Sequence, residues 1–406
     1  MRRIVATITA TIALILLGLG ATGFLEAFSI VARAADFPAP LYQLASLSTV
    51  RHVERLTAVQ VEDDRSIRVR IYAPAAAARH TLLLVSGLHT AGIDEPRLIA
   101  FARELARSRL TVVTPEIPGL AQFSITRTLT DDIERVARWL AVDSGLAASG
   151  RIGLVGISFS GGLAIVAAGR PSLRDRVLYV LSVGGHGDLP RVLRYLCTGV
   201  VPEPDTSSDS PNGLAGEQPP NDYGVAIVLL NVAERLVPAE QVERLRTLVR
   251  RFLWASYLDR HDKAESAREF DAVRKDALAM PEPSATLLKL MIERDVKRLG
   301  LALLPYIDEY GNDPALSPSR SPSPLAVVFV MHGRSDDVIP AVEAKSLAAH
   351  LGQDTCVKLL LTDLLSHARV DQPKRVAQVF EMVGFWRDLL EQAEDHPEDE
   401  PACVAG

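Results

Sequence analysis

Cysteine is scarce in this chain: three residues in 406, Cys197, Cys356 and Cys403, far apart and odd in number. That excludes a disulfide framework and a cysteine-built metal site, and leaves room for one bridge at most. None lies near the amino terminus, which removes a lipid-modified cysteine as an anchor. A strong excess of either charge is missing too. Lys and Arg number 44 against 50 Asp and Glu, the net charge is −6, and there is no basic block, so nucleic acid is not an expected partner. There is no internal repeat. What the chain does have is apolar residues, 48% of the total, enough to bury a large core in one enlarged domain or in a domain with a sizeable insertion.

Arg2 and Arg3 precede an uncharged stretch over residues 4–25, which as a helix would span about 33 Å, the thickness of a bilayer core. With the arginines held on the cytoplasmic side, everything after the stretch lies across the membrane. A cleaved signal peptide is the rival, with Ala32-Arg33-Ala34 as a small-x-small site before Ala35. The stretch exceeds the usual signal core, which favours an uncleaved transmembrane anchor. Either reading exports the rest of the chain, and the anchor makes the membrane an expected partner.

After a linker at 34–40, alternating residues at 53–61 and 66–72 predict an antiparallel strand pair around a turn at 62–65. Short apolar strands and helical stretches then alternate: strand 81–86, helix 96–107, strand 110–114, helix 129–142, strand 151–156, helix 161–168 and strand 176–183. This predicts an α/β domain with a mostly parallel, doubly wound sheet and helices on both faces. The alternation stops at His186 and resumes with strand 325–331, helix 341–351, strand 357–362 and helix 374–392. The expected organisation is therefore an anchor or signal segment at 1–35, a core at 36–185 and 325–392, an inserted helical lid at 186–324, and an acidic tail at 393–406. Within the lid, 201–222 and 312–324 read as Pro- and Ser-bearing breaks. Val242, Leu245, Val249, Phe252 and Ser256 form an apolar stripe at helical spacing, read as packed core, with Arg244, Arg250 and Arg251 off the stripe.

Ser158 lies in Gly156-Ile157-Ser158-Phe159-Ser160-Gly161-Gly162, straight after an apolar strand and before an apolar helix. A serine on such a turn projects its hydroxyl clear of the backbone, provided the residues two before and two after are small. Gly156 and Ser160 meet that need, although the usual last residue is Gly. Two further signals lie at carboxyl ends of strands, where sites form in such sheets. His332-Gly333-Arg334-Ser335-Asp336-Asp337-Val338-Ile339-Pro340 supplies a carboxylate, and Leu364-Leu365-Ser366-His367-Ala368 supplies a histidine. A serine hydroxyl needs a base to take its proton. An imidazole with a pKa near 6.5 can accept that proton and return it, and a carboxylate can fix the imidazole tautomer. His186-Gly187-Asp188 has no third and fourth ligand at suggestive spacing, so no metal is expected there.

Residues 68–392 resemble the α/β-hydrolase superfamily. Residues 156–162 are similar to its nucleophile elbow, 332–340 to its His-Gly-x-x-Asp-x-x-Ile-Pro acid loop, and His367 to its histidine, in the order Ser, Asp, His. The style is similar to esterase-like and dienelactone-hydrolase-like members. Dienelactone hydrolases proper use a cysteine where Ser158 stands, so their substrate does not carry over. The resemblance implies a catalytic triad of Ser158, Asp336 and His367, with Asp337 the competing acid, available instead to help cap the next helix. It implies an oxyanion hole from the backbone N–H groups of Phe159 and Leu88, the latter in the loop Ser86-Gly87-Leu88-His89-Thr90-Ala91-Gly92. His89 is read as a structural loop histidine, with substrate contact the alternative. The implied activity is serine-esterase hydrolysis of a small-molecule acyl substrate through an acyl-enzyme, with no cofactor. An acyltransferase on the same triad and a catalytically silent binding module are the other readings. Oligomeric state is left open.

Overall fold

The computed structural model describes residues 21–34, 49–62, 64–201, 221–259, 261–366, 369–370 and 376–392. Helix α1 (Ala21–Ala34) precedes the hairpin β1 (His52–Glu62) and β2 (Arg65–Pro74). Then follow β3 (His80–Val85), α2 (Pro96–Arg107), β4 (Leu110–Pro115), α3 (Pro118–Ala121), α4 (Thr128–Val142), β5 (Ile152–Ile157), α5 (Phe159–Gly169) and β6 (Val177–Val183). The inserted helices are α6 (Leu189–Thr198), α7 (Asp222–Leu236), α8 (Ala239–Leu258), α9 (Lys263–Leu278), α10 (Ser284–Ile292), α11 (Val296–Leu303) and α12 (Ile307–Gly311). The chain closes with β7 (Val327–Gly333), α13 (Ala341–Leu351), β8 (Val357–Thr362) and α14 (Val376–Gln392).

The eight strands lie in the order β1-β2-β4-β3-β5-β6-β7-β8. β2 is antiparallel to both neighbours, and every pair from β4 to β8 is parallel. The central strands β3, β4 and β7 are buried along their whole length, as expected where helices cover both faces of a sheet. Their apolar side chains alternate between two cores. One face packs α4, α5 and the inserted helices around Leu83, Val113, Leu154, Phe252 and Leu288. The other packs α1, α2 and α14 around Leu82, Leu84, Val112, Tyr179 and Phe329.

Two expectations need correction. The uncharged stretch at 4–25 was read as one membrane-spanning helix; its first part lies outside the described residues, and its last five residues open α1. That helix continues past Glu26 and packs on the domain, with Ala27, Ile30, Val31 and Ala32 buried. Its charges are paired inward, Glu26 with Arg79 at 2.8 Å and Arg33 with Glu104 at 3.0 Å. Residues 21–34 therefore belong to the core, not to the segment at 1–35, and no helix among the described residues is long and apolar enough to cross a membrane. The strand expected at 325–331 lies two residues further on, so His332 and Gly333 are the end of β7 rather than loop. The inserted helices share one of the two cores, with Val242, Leu245, Val249 and Phe252 of the apolar stripe buried in it. The acidic tail at 393–406 lies outside the described residues.

Candidate active site

Strand β5 hands directly to α5 through Ser158, which adopts φ 56° and ψ −133°. A non-glycine residue in that region carries strain of about 1–3 kcal/mol, and it persists only where its surroundings enforce it. Here the Ser158 N–H donates to Val183 O at 2.7 Å on the next strand, and the Gly161 N–H donates to Ser158 O at 2.8 Å. The demand for small neighbours is literal at Gly156, where a Cβ would stand 2.1 Å from Ser160 O. At Ser160 the hydroxyl is accommodated because it is used: it is fully buried and donates to Ser86 O at 2.5 Å. The elbow helix is thereby tied to the end of β3.

The loop that follows β3 lies against the nucleophile. A Cβ on Gly87 would come 3.1 Å from Ser158 Cβ and 3.7 Å from its Oγ. The Leu88 amide is next along this loop, and the Phe159 amide is the first of α5, one of the helix donors that has no intrahelical acceptor. His89 makes a structural contact of the kind expected of it. Its Nδ1 accepts from the Ala91 N–H at 3.1 Å, and its ring packs edge-on against Tyr257 of α8 at 4.7 Å. Burial, the largest influence, lowers its pKa.

Asp336 lies three residues beyond the end of β7 and is almost fully buried. Its Oδ1 accepts from the Val338 and Ile339 N–H groups at 2.9 and 3.0 Å, and its Oδ2 stands 3.5 Å from His332 Nε2. His332, also buried, bonds Ile339 O at 2.8 Å and so shapes this loop. Asp337 contributes through its backbone: its carbonyl accepts from the Tyr195 hydroxyl at 3.0 Å and the Asn221 N–H at 3.3 Å, both from the insertion. It does not cap α13, whose first turn has no side-chain cap.

The acid loop passes close to the histidine segment. A Cβ on Gly333 would stand 2.3 Å from Leu365 O, and Arg334 N–H donates to Thr362 O at 3.0 Å. Ser366 pairs with Arg369 in a small antiparallel ribbon. His367, between them in sequence, lies outside the described residues.

His186 stacks on Phe159, ring centroids 4.7 Å apart and planes 3° from parallel, and its Nε2 bonds Leu316 O at 2.7 Å. Burial, the largest influence, lowers its pKa. Asp188 turns away to cap α6, accepting from Arg191 N–H at 3.0 Å, and pairs with Arg320 at 2.7 Å. Among the described residues there is no cluster of metal-ligating side chains. The sequence reading missed the Ser160 hydroxyl and the His186 ring; a hydroxyl where a tight turn usually has glycine was the one available signal, and the stacking partner had none.

Strand order and strained serine elbow together define an α/β-hydrolase architecture carrying the insertion α6–α12. Among solved structures the chain is similar to an arylesterase, with 14% identity over 88% of this chain and 92% of that one and a TM-score of 0.47. It is similar to a thermostable carboxylesterase cloned from a metagenomic library, with 17% identity, 86% and 93% coverage and a TM-score of 0.44. It is also similar to an esterase of the archaeon Pyrobaculum calidifontis, with 15% identity, 91% and 90% coverage and a TM-score of 0.44. No protein-family model and no curated protein matches the sequence.

Proposed function

We propose that this chain is a serine hydrolase that cleaves an ester or related acyl bond of a small molecule through an acyl-enzyme. The observation that carries the reading is the backbone of Ser158 at φ 56° beside the Gly87-Leu88 loop, a costly conformation that fits the presentation of a hydroxyl at a strand end. In this reading His367 takes the Ser158 proton as Oγ attacks the acyl carbon. The Phe159 and Leu88 N–H groups hold the developing oxyanion, and His367 returns the proton to the leaving alcohol. Water then repeats the sequence to free the acid. Asp336 is the acid that orients His367. Burial of its carboxylate and its two backbone hydrogen bonds support it over Asp337. The Gly333 contact brings the acid strand to Leu365, and His367 is two residues further, a reach of about 7 Å.

The test is labelling by a fluorophosphonate. The wild type is expected to label and Ser158→Ala not to, with hydrolysis of 4-nitrophenyl esters falling at least about 10³-fold in Ser158→Ala and His367→Ala. Folded wild-type protein that neither labels nor hydrolyses overturns the reading. Added acceptor alcohols separate hydrolysis from acyl transfer.

The same reading places the domain outside the cytoplasm on an uncleaved membrane anchor. Cys356 is disulfide-bonded while Cys197 is a free buried thiol, and disulfides persist in oxidising compartments. Cleavage after Ala34 would remove α1, with its buried Ile30 and Val31 and its inward ion pairs. That leaves residues 4–20 for the bilayer, about 26 Å as a helix, at the short end of what spans one. Intact mass of the membrane-fraction protein checks it; a mature chain beginning at Ala35 would refute it.

A further inference from the structure

A groove of about 410 Å³ lies between the loop after β3 and helix α8, lined by Thr90, Thr247, Arg250, Arg251 and Trp254. The four α8 residues are spaced i, i+3, i+4, i+7, which puts them on one face of the helix, opposite Thr90. The charges on that face are unequal. Arg251 is matched by Asp276 at 2.6 Å and Glu269 at 3.2 Å. Arg250 has no carboxylate partner among the described residues. Its Nε donates to Gln122 O at 3.5 Å, which leaves its terminal nitrogens to the groove. Thr247 donates its hydroxyl to Glu243 O at 2.8 Å, within its own helix, and Thr90 lines the groove from the opposite loop. Trp254, 37% exposed, supplies an apolar wall held from behind by Tyr257 at 5.2 Å.

We propose that this groove is a subsite for a carboxylate on the substrate, so that the preferred esters carry a free carboxylate at the far end of an apolar chain. The assignment deepens the serine-hydrolase reading and rests on it for the position of the scissile bond. A guanidinium offers two parallel donors that match a carboxylate, and the indole beside it suits the methylenes leading to it. Thr90 is three residues from Gly87, at most about 11 Å, and a Cβ on Gly87 would stand 3.1 Å from Ser158 Cβ, so the Thr90 wall of the groove lies within about 15 Å of Ser158.

The experiment has two arms. Binding of suberate, a linear dicarboxylate, to Ser158→Ala protein is measured by calorimetry. Hydrolysis of mono-4-nitrophenyl suberate is compared with that of its neutral methyl-capped counterpart. Saturable binding that weakens about tenfold or more in Arg250→Gln and is partly kept in Arg250→Lys is expected, together with a kcat/KM advantage for the acid ester that Arg250→Gln removes. Absence of saturable binding, or equal binding by Arg250→Gln, overturns the subsite. Hydrolysis of both esters at equal kcat/KM also overturns it and leaves the hydrolase reading standing. Arg250-dependent binding with neither ester cleaved does the reverse.

Discussion

Ser160 holds a hydroxyl where elbows of this kind have a hydrogen atom, and that hydroxyl bridges the helix after the nucleophile to Ser86, the residue before the Gly87-Leu88 turn. Because both groups are buried, removing the donor leaves a carbonyl without this partner. Ser160→Ala is expected to lower stability by about 1–3 kcal/mol, read as a lower denaturant midpoint at unchanged slope. An unchanged midpoint would mean the bond has no net worth. At this scale the candidate site was legible where chemistry dictates residue type. Ser158 and Asp336 stand out because strand ends, apolar flanks and chain order mark them; His367, marked by the same chain order, lies outside the described residues. Partnerships across the chain were not legible. Nothing in the neighbourhood of Phe159 announces that His186 stacks on it, and nothing near His89 announces Tyr257.

Helix α1 shows how composition misleads at the level of an element. A helix buried against a protein and a helix buried in lipid share the same apolar residues, and the run through Leu25 does not tell the two apart. The sign comes later, in Glu26 and Arg33, whose partners Arg79 and Glu104 lie on the domain. If α1 is structural, Ile30→Ala costs about 2–5 kcal/mol, measured by urea denaturation; a loss below 0.5 kcal/mol would mean that α1 is not part of the folded unit. The parallel strands were readable as short apolar runs between turn signals, and β1 and β2 by their alternating residues. Most inserted helices were not. Helix α7 is buried from Gly224 to Leu230 without interruption, so it has no polar face to reveal a period. Helix α8 was readable because its stripe alternates with arginines.

The two cores make the whole molecule sensitive to acid through its buried histidines. His80, at the start of β3, shares a 2.8 Å hydrogen bond with the Tyr179 hydroxyl. Burial, reinforced by the Arg79 charge, lowers its pKa to about 3. The unfolded histidine takes its proton near pH 6.5, so the contribution of neutral His80 is complete above that pH. It declines by about 1.4 kcal/mol per unit as pH falls towards 3. His186 and His89 are shifted in the same direction. In His80→Gln, the stability difference between pH 7.5 and pH 5.0 should shrink by roughly 2 kcal/mol, compared by urea denaturation at the two values; an unaltered difference would rule out His80 as a source. The helices of the insertion share their core with α4, α5 and the sheet. They cannot be exchanged for another set without opening the half of the molecule that holds the elbow in place. New specificity in such a protein must arise by substitutions on the inner surfaces of these helices, one side chain at a time.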